Sequence, residues 1–213
     1  MDFQVLVASE EHYKYAEEIC EVIELSARAR GTGIAKRSPE YIKQKMQEGK
    51  AVIALSNTGI FGGFCYIESW GDKFAANSGL IVAEPYRKLG LAHRVKQKAF
   101  ELSRQKYPNA KLFGLTTSLA VMKINSELGY RPVTFSELTD DESFWKGCQS
   151  CVNYDILTRT NRKMCLCTGM LYDPKDKDKY RRKKFADYKD KYAKWLKERA
   201  DALFRLIKKP NGK

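Results

Sequence analysis

With 213 residues, 43% of them hydrophobic, the chain is long enough for one domain with an appendage and apolar enough to build a core. No apolar run approaches the roughly 20 residues that cross a bilayer. The opening Met1-Asp2-Phe3-Gln4 lacks the basic-then-apolar pattern of a secretory leader, so a soluble, cytoplasmic protein with reduced thiols is expected. The net charge of +13 is unevenly placed: residues 173–213 hold 16 Lys/Arg against 7 Asp/Glu, a balance of +9 that leaves only +4 for the first 172. That asymmetry excludes reading the whole chain as a nucleic-acid binder on charge alone.

In chain order, Phe3-Gln4-Val5-Leu6-Val7 reads as a strand. Ser9 N-caps a helix whose apolar positions Tyr15, Ile19, Val22, Ile23 and Leu25 fall near helical spacing. Gly31-Thr32-Gly33 breaks it, and Ser38-Pro39-Glu40 opens a second helix that Gly49 ends. Residues 51–55 and 60–69 are strands around the turn Ser56-Asn57-Thr58-Gly59, with a bulge expected at Gly62-Gly63. Residues 77–83 form a strand, 91–104 a helix, 111–117 a strand and 119–128 a helix stopped by Gly129. Residues 152–157 and 165–171 read as a late hairpin around Thr160-Asn161.

The most informative run is Gly79-Leu80-Ile81-Val82-Ala83-Glu84-Pro85-Tyr86-Arg87-Lys88-Leu89-Gly90-Leu91-Ala92. A strand feeds a glycine-bearing loop at a helix start, which aims several backbone N–H groups at one point and suits a phosphate or pyrophosphate. Gly90 allows close backbone approach, and the helix adds the positive end of its dipole. Arg87, Gly90 and Ala92 fill the pattern Arg/Gln-x-x-Gly-x-Gly/Ala. The segment resembles the acyl-CoA-binding motif of the GNAT N-acetyltransferases. Met122-Lys123-Ile124-Asn125-Ser126-Glu127-Leu128-Gly129-Tyr130 resembles that family's "LYEKLGF" helix end.

The resemblance spans about the first 135 residues. It implies an α/β (α+β) fold in which helices flank a mixed, mostly antiparallel sheet. A GNAT acyltransferase core would occupy 1–135, a hairpin extension with a four-cysteine cluster 136–172, and a basic amphipathic helical tail 173–213. It also implies acetyl-CoA, or another short acyl-CoA, as cosubstrate. The pantetheine arm would lie between two splayed strands and bond to backbone near Leu80 and Val82. Backbone groups of Arg87, Lys88, Leu89, Gly90, Leu91 and Ala92 would hold the pyrophosphate. Many family members protonate the departing thiolate with a Tyr four residues before the helix-end Gly. Here that position is Asn125, which can donate a hydrogen bond to the coenzyme but is no acid. Solvent, or another tyrosine such as Tyr66 or Tyr130, would take over. Glu68, closing the third strand at the cleft mouth, is the expected general base. His12 and His93 read as helix-face residues.

Leu112-Phe113-Gly114-Leu115-Thr116-Thr117 is similar to the "LFxLTT" strand of N-acetylglutamate synthases, and Tyr130-Arg131-Pro132-Val133 with Glu137-Leu138 fits their following segment. This likeness implies glutamate, or another small acidic amino acid, as acceptor, with arginine biosynthesis as the setting. Such a substrate needs cations for two carboxylates, and Arg30, Lys36 and Arg37, beside Arg28, are the candidates. Thr117 and Ser118 join them at the end of the strand. Acetyl and succinyl are the two acyl groups this reading admits.

Cys148-x-x-Cys151 and Cys165-x-Cys167 suit a structural, tetrahedral Zn2+ site. Four packed thiols or a redox pair are the alternatives, and Cys20 and Cys65 read as core residues. From Lys179, Phe185, Tyr188, Tyr192, Leu196, Leu203, Phe204 and Ile207 recur at helical spacing. The expected partners are a small-molecule acceptor amine and a second copy of the chain in a homodimer, with no membrane insertion and no nucleic acid. Two other functions fit the same residues: a non-catalytic acyl-CoA sensor or interaction module, and an acetyltransferase of a protein or RNA-associated acceptor.

Overall fold

A computed structural model of the chain describes residues 2–30, 36–176 and 197. The chain divides into two compact units, Met1–Asp173 and Pro174–Lys213, and the first carries everything that follows. The basic helix expected from Lys179 and the Gly31-Thr32-Gly33 break lie outside the described residues.

Strand β1 (Phe3–Val7) leads through a 3-10 helix at Glu10–Tyr15 into α1 (Ala16–Arg30) and then α2 (Pro39–Gln47). A meander follows: β2 (Ala51–Ser56), β3 (Phe61–Trp70) and β4 (Phe74–Val82). Helix α3 (Leu91–Lys106), β5 (Lys111–Thr116) and α4 (Leu119–Glu127) come next. The chain continues through β6 (Arg131–Val133), α5 (Glu142–Lys146), α6 (Tyr154–Arg159) and β7 (Thr168–Tyr172). The seven strands of the described residues form one sheet in the order β1-β2-β3-β4-β5-β7-β6. Every neighbouring pair is antiparallel except β4–β5. Among the described residues no helix is long and apolar enough to cross a membrane.

The two-residue alternation of the strands sorts the core into two faces. Val52, Ala54, Cys65 and Ile67 point to one side and pack against Leu91, Val95, Ala99 and Leu102, which recur at helical spacing along α3. Ala51, Ile53, Phe64 and Tyr66 point to the other and meet Ala16, Ile19 and Ile23 of α1 with Ile42 and Met46 of α2. A third cluster, Phe113, Phe135, Phe144, Trp145, Leu157 and Leu171, seals the β5–β7 end. The bulge expected in β3 is present: Ala54 opposes Gly63 and Leu55 opposes Phe61, which leaves Gly62 without a partner.

The late hairpin is not formed. Residues 154–159 are helical, and β7 instead pairs with β5 (Phe113 opposite Leu171) and β6 (Pro132 opposite Met170). Burying both faces of Gly169-Met170-Leu171 inside the sheet is worth more than a solvent-exposed hairpin. Leu157 is the one buried apolar residue of the 154–159 segment, which suits a single helical turn packed on the third cluster. Pro132 sits on the sheet's edge strand, where its missing N–H costs nothing.

Candidate active site

The cleft originates in the one parallel pair. β4 and β5 bond only from Phe74–Ala76 to Lys111–Phe113. Beyond that β5 follows β7 as far as Thr116 opposite Thr168, while β4 follows β3. β4 also bulges: Phe64 opposes Ile81 and Tyr66 opposes Ser78, so Gly79 and Leu80 face Cys65 alone. Gly79 has φ 65°, and a Cβ there would lie 2.4 Å from the Tyr66 ring, so no other residue fits without moving that ring. The strands part past Ala76, leaving the β5-facing backbone edge of β4 without a strand partner. The gap widens into a cleft of ≈ 570 Å3 reaching from Arg37 and Glu68 to Leu80, Thr116 and Asn125.

Downstream of β4, a 3-10 turn at Glu84–Tyr86 carries the chain to α3. Lys88 has φ 66° and Gly90, the residue before the helix, φ 74°. No side chain caps α3, so its first N–H groups and the positive end of its dipole are open to an anion. Lys88 and Leu89 are exposed, while Leu91 is buried and anchors the helix start in the core. Arg87 is exposed but also bonded to the fold. Its Nε donates to the Val82 carbonyl at 3.2 Å and its Nη2 to Ser26 Oγ at 3.0 Å, bracing the loop against β4 and α1.

Glu68 lines the cleft from β3, opposite Ala76, where the parallel pairing ends. Burial pushes its carboxyl up to about 7, against the pull of Arg37. Lys45 of α2 lies 3.0 Å from Oε2, and burial holds that ammonium below its ordinary value. The carboxyl moves upward because desolvation outweighs the Arg37 charge. Arg37 also lines the cleft; its Nε donates to the Tyr66 hydroxyl at 2.6 Å and its Nη1 to the Lys36 carbonyl at 2.8 Å. Thr117 lines the cleft, whereas Ser118 caps α4, accepting from Val121 N at 3.5 Å. Lys36 is exposed and within 3.9 Å of Glu24. Arg30 closes α1, and its side chain lies outside the described residues.

Asn125 is 1% exposed; its Nδ2 donates to Met170 Sδ at 3.5 Å, and its Oδ1 has no partner among the described residues. Tyr130 is no free acid: its hydroxyl donates to Asn77 Oδ1 at 3.2 Å, and burial drives its pKa upward. Tyr66 is fully buried and its hydroxyl accepts from Arg37. Sequence reading passed over Lys96, which is 2% exposed and lines the cleft from α3. Its Nζ lies 5.2 Å from the Tyr130 ring centroid, and burial pushes the ammonium down to about 8. Helical spacing puts Lys96 and Ser103 beside the apolar positions 95, 99 and 102, at the edge of the buried arc, which does not by itself say that they are buried.

The zinc site expected at Cys148, Cys151, Cys165 and Cys167 finds no support. No three described His, Cys, Asp or Glu side chains come together so as to hold a metal ion. All four thiols line one small hollow with Leu115, Phe135 and Leu157, but Cys165 and Cys167 precede β7 instead of sharing a strand face. Burial among apolar side chains, with the neighbouring thiols adding to it, pushes Cys148 up to about 11 and Cys167 up to about 12. Protonated thiols in such a setting pack as small hydrophobes.

No protein-family model and no curated protein sequence matches the chain. Solved structures do. The N-acetylglutamate synthase from Neisseria gonorrhoeae, complexed with coenzyme A and N-acetyl-glutamate, aligns over 81% of this chain and 35% of its own, with TM-score 0.57 and 16% identity. The chain thus spans about a third of that protein's length. Rv2747 from Mycobacterium tuberculosis, in complex with CoA, aligns over 80% of this chain and 98% of its own, with TM-score 0.58 and 13% identity. A GNAT-family acetyltransferase from Staphylococcus aureus aligns over 66% and 92%, with TM-score 0.53 and 15% identity. These alignments, together with the mixed seven-stranded sheet flanked by helices, lead to one conclusion: this chain has the GNAT acyltransferase fold.

Proposed function

We propose that the protein is an acyl-CoA-dependent N-acyltransferase that acetylates the amine of a small acidic amino acid, with glutamate the leading acceptor. The observation that carries the reading is the gap between β4 and β5, with the uncapped start of α3 following directly from β4. An extended arm entering the gap meets the unpaired edge of β4 as an added strand would, at Leu80 and Val82. The pyrophosphate then rests on the N–H groups from Lys88 to Ala92, with Arg87 holding the loop in place.

Transfer requires a neutral amine, an aligned carbonyl and a stabilised leaving group. Glu68, titrating near neutrality, takes the ammonium proton at the cleft mouth. The bulged backbone at Gly79-Leu80 offers N–H groups to the oxyanion. Arg37 gives the acceptor side a cation for a carboxylate. N-acetylglutamate, the product of such a reaction, opens arginine biosynthesis, which is the setting this acceptor supports. The structural likeness to an N-acetylglutamate synthase complexed with N-acetyl-glutamate supports that acceptor.

The test is a screen of amino-acid acceptors with acetyl-CoA and succinyl-CoA in turn, read by mass spectrometry of acylated product. Preferential acylation of glutamate supports the assignment and names the acyl donor. Coenzyme binding with no product from any amino acid removes it in favour of a sensor or a macromolecular acceptor.

A further inference from the structure

The cleft contains a cation that the mechanism above does not use. Lys96 projects from α3 at 2% exposure, and among the described residues no carboxylate pairs with it. A buried ammonium without an anion is expensive, and such groups survive where a ligand supplies the missing negative charge. The groups facing it are the Cys65 thiol of β3 and the Tyr130 ring, with Tyr172 of β7 and Arg104 of α3 beyond Tyr130. Cys65 is itself held protonated by burial, at about 11, so it brings no charge.

Asn125 lines the same cleft from α4, and its Oδ1 is an orphan acceptor nine-tenths buried and more. A helix on each side of the gap thus presents one unpartnered polar group, a donor from α3 and an acceptor from α4. A thiol–thiolate sulfur placed between them answers both: protonated, it donates to Asn125 Oδ1; ionised, it pairs with Lys96. The acid expected on α4 cannot be Asn125, and Tyr130 is taken up by Asn77.

We propose that Lys96 is a catalytic residue that stabilises and protonates the departing coenzyme thiolate. The inference rests on the acyltransferase reading. The amine nitrogen bonds to the thioester carbonyl carbon, giving a tetrahedral intermediate. Its C–S bond then breaks with the electron pair passing to sulfur. The Lys96 ammonium gives one proton to that sulfur, forming the S–H of free CoA and leaving a neutral lysine. Glu68 passes the ammonium proton to solvent and then takes a second proton from the intermediate's nitrogen as the amide forms; one of these two recharges Lys96 through solvent and the other is released, so the cycle closes with amide, thiol and one proton as products.

The decisive experiment needs no acceptor. CoA carrying 13C beside its sulfur is bound to the full-length protein, and its thiol is titrated by NMR, in the wild type and in Lys96→Met. A cation within a few ångströms lowers a thiol pKa by about 1–3 units. The wild type is expected to bind CoA with the thiol ionising below its free value. Lys96→Met should bind CoA, with that depression abolished, and with turnover reduced about 10²–10⁴-fold. Calorimetric binding by the variant shows that it is folded. Lys96→Arg, which keeps the charge but cannot give up its proton, should retain the depressed thiol and still lose turnover. An unchanged thiol titration in Lys96→Met overturns the assignment alone. So does a variant that loses transfer from succinyl-CoA and keeps it from acetyl-CoA, since Lys96 would then be a carboxylate-binding group. Failure of the wild type to bind CoA at all overturns the acyltransferase reading, and the assignment with it.

Discussion

Replacing Glu68 by glutamine removes the proposed base while keeping its shape and one hydrogen-bonding oxygen. In the wild type the carboxyl titrates at about 7. Below that pH the base is protonated, so kcat/KM should rise about tenfold per pH unit and level off above it. Glu68→Gln should lose this limb and fall by about 10²–10⁴-fold at neutral pH. A stability signature accompanies it. The carboxyl titrates higher in the fold than its ordinary 4.5, so between these values the folded chain holds a proton that the unfolded chain has released. Stability is therefore fully favoured at the acid end of the window and declines as pH rises from 4.5 through 7. A shift of this size corresponds to at most ~3 kcal/mol, and the Lys45 ammonium 3.0 Å away reduces it. Urea denaturation across that window should show a decline of ~1–3 kcal/mol in the wild type that Glu68→Gln lacks. A variant with the wild-type pH–rate profile would refute Glu68 as base, and parallel stability curves would refute the burial argument behind it.

Gly79→Ala should destabilise the protein by ~2–4 kcal/mol, the sum of a left-handed backbone cost and a Cβ forced to within 2.4 Å of the Tyr66 ring, read from chemical denaturation. Wild-type stability in Gly79→Ala would mean that the bulge is not rigid. Asn125→Leu should raise stability by ~1 kcal/mol by removing an orphan buried acceptor, and weaken coenzyme binding in calorimetry; a loss of stability would show that Oδ1 has a partner in the folded protein. Chelator treatment should leave the melting curve in place, because no three described side chains gather to hold an ion. A melting temperature that drops with chelator and recovers with Zn2+ would overturn that.

Glu68 and Lys96 mark how far the site was legible in the sequence. Glu68 could be found because a strand position is nearly fixed by alternation: it closes a long apolar run, and its place beside the cleft follows once β3 and β4 are paired. The anion cradle was legible for the same local reason, since Gly90 and the start of α3 are contiguous in the chain. Lys96 was not, although α3 itself was, because the buried arc of a helix widens or narrows with the depth of the cleft it faces. The bracing of Arg87 was not legible either: its bonds to Val82 and Ser26 span 5 and 61 residues.

Local pattern by itself determined the order of strands and helices through about residue 130, the β3 bulge and the loop that opens α3. These depend on neighbours within a few positions, where periodicity, glycine and caps carry the information. Tertiary structure alone decided three things. β7 was assigned to the space between β5 and β6, because an apolar strand takes whichever edges lie open, and those edges come from 36 or more residues away in sequence. The four cysteines were brought to one hollow with Leu115, Phe135 and Leu157, a packing of segments that the spacing within each pair does not encode. The cleft itself arose where β4 and β5 follow different partners, and a divergence between two strands is a property of neither sequence segment alone.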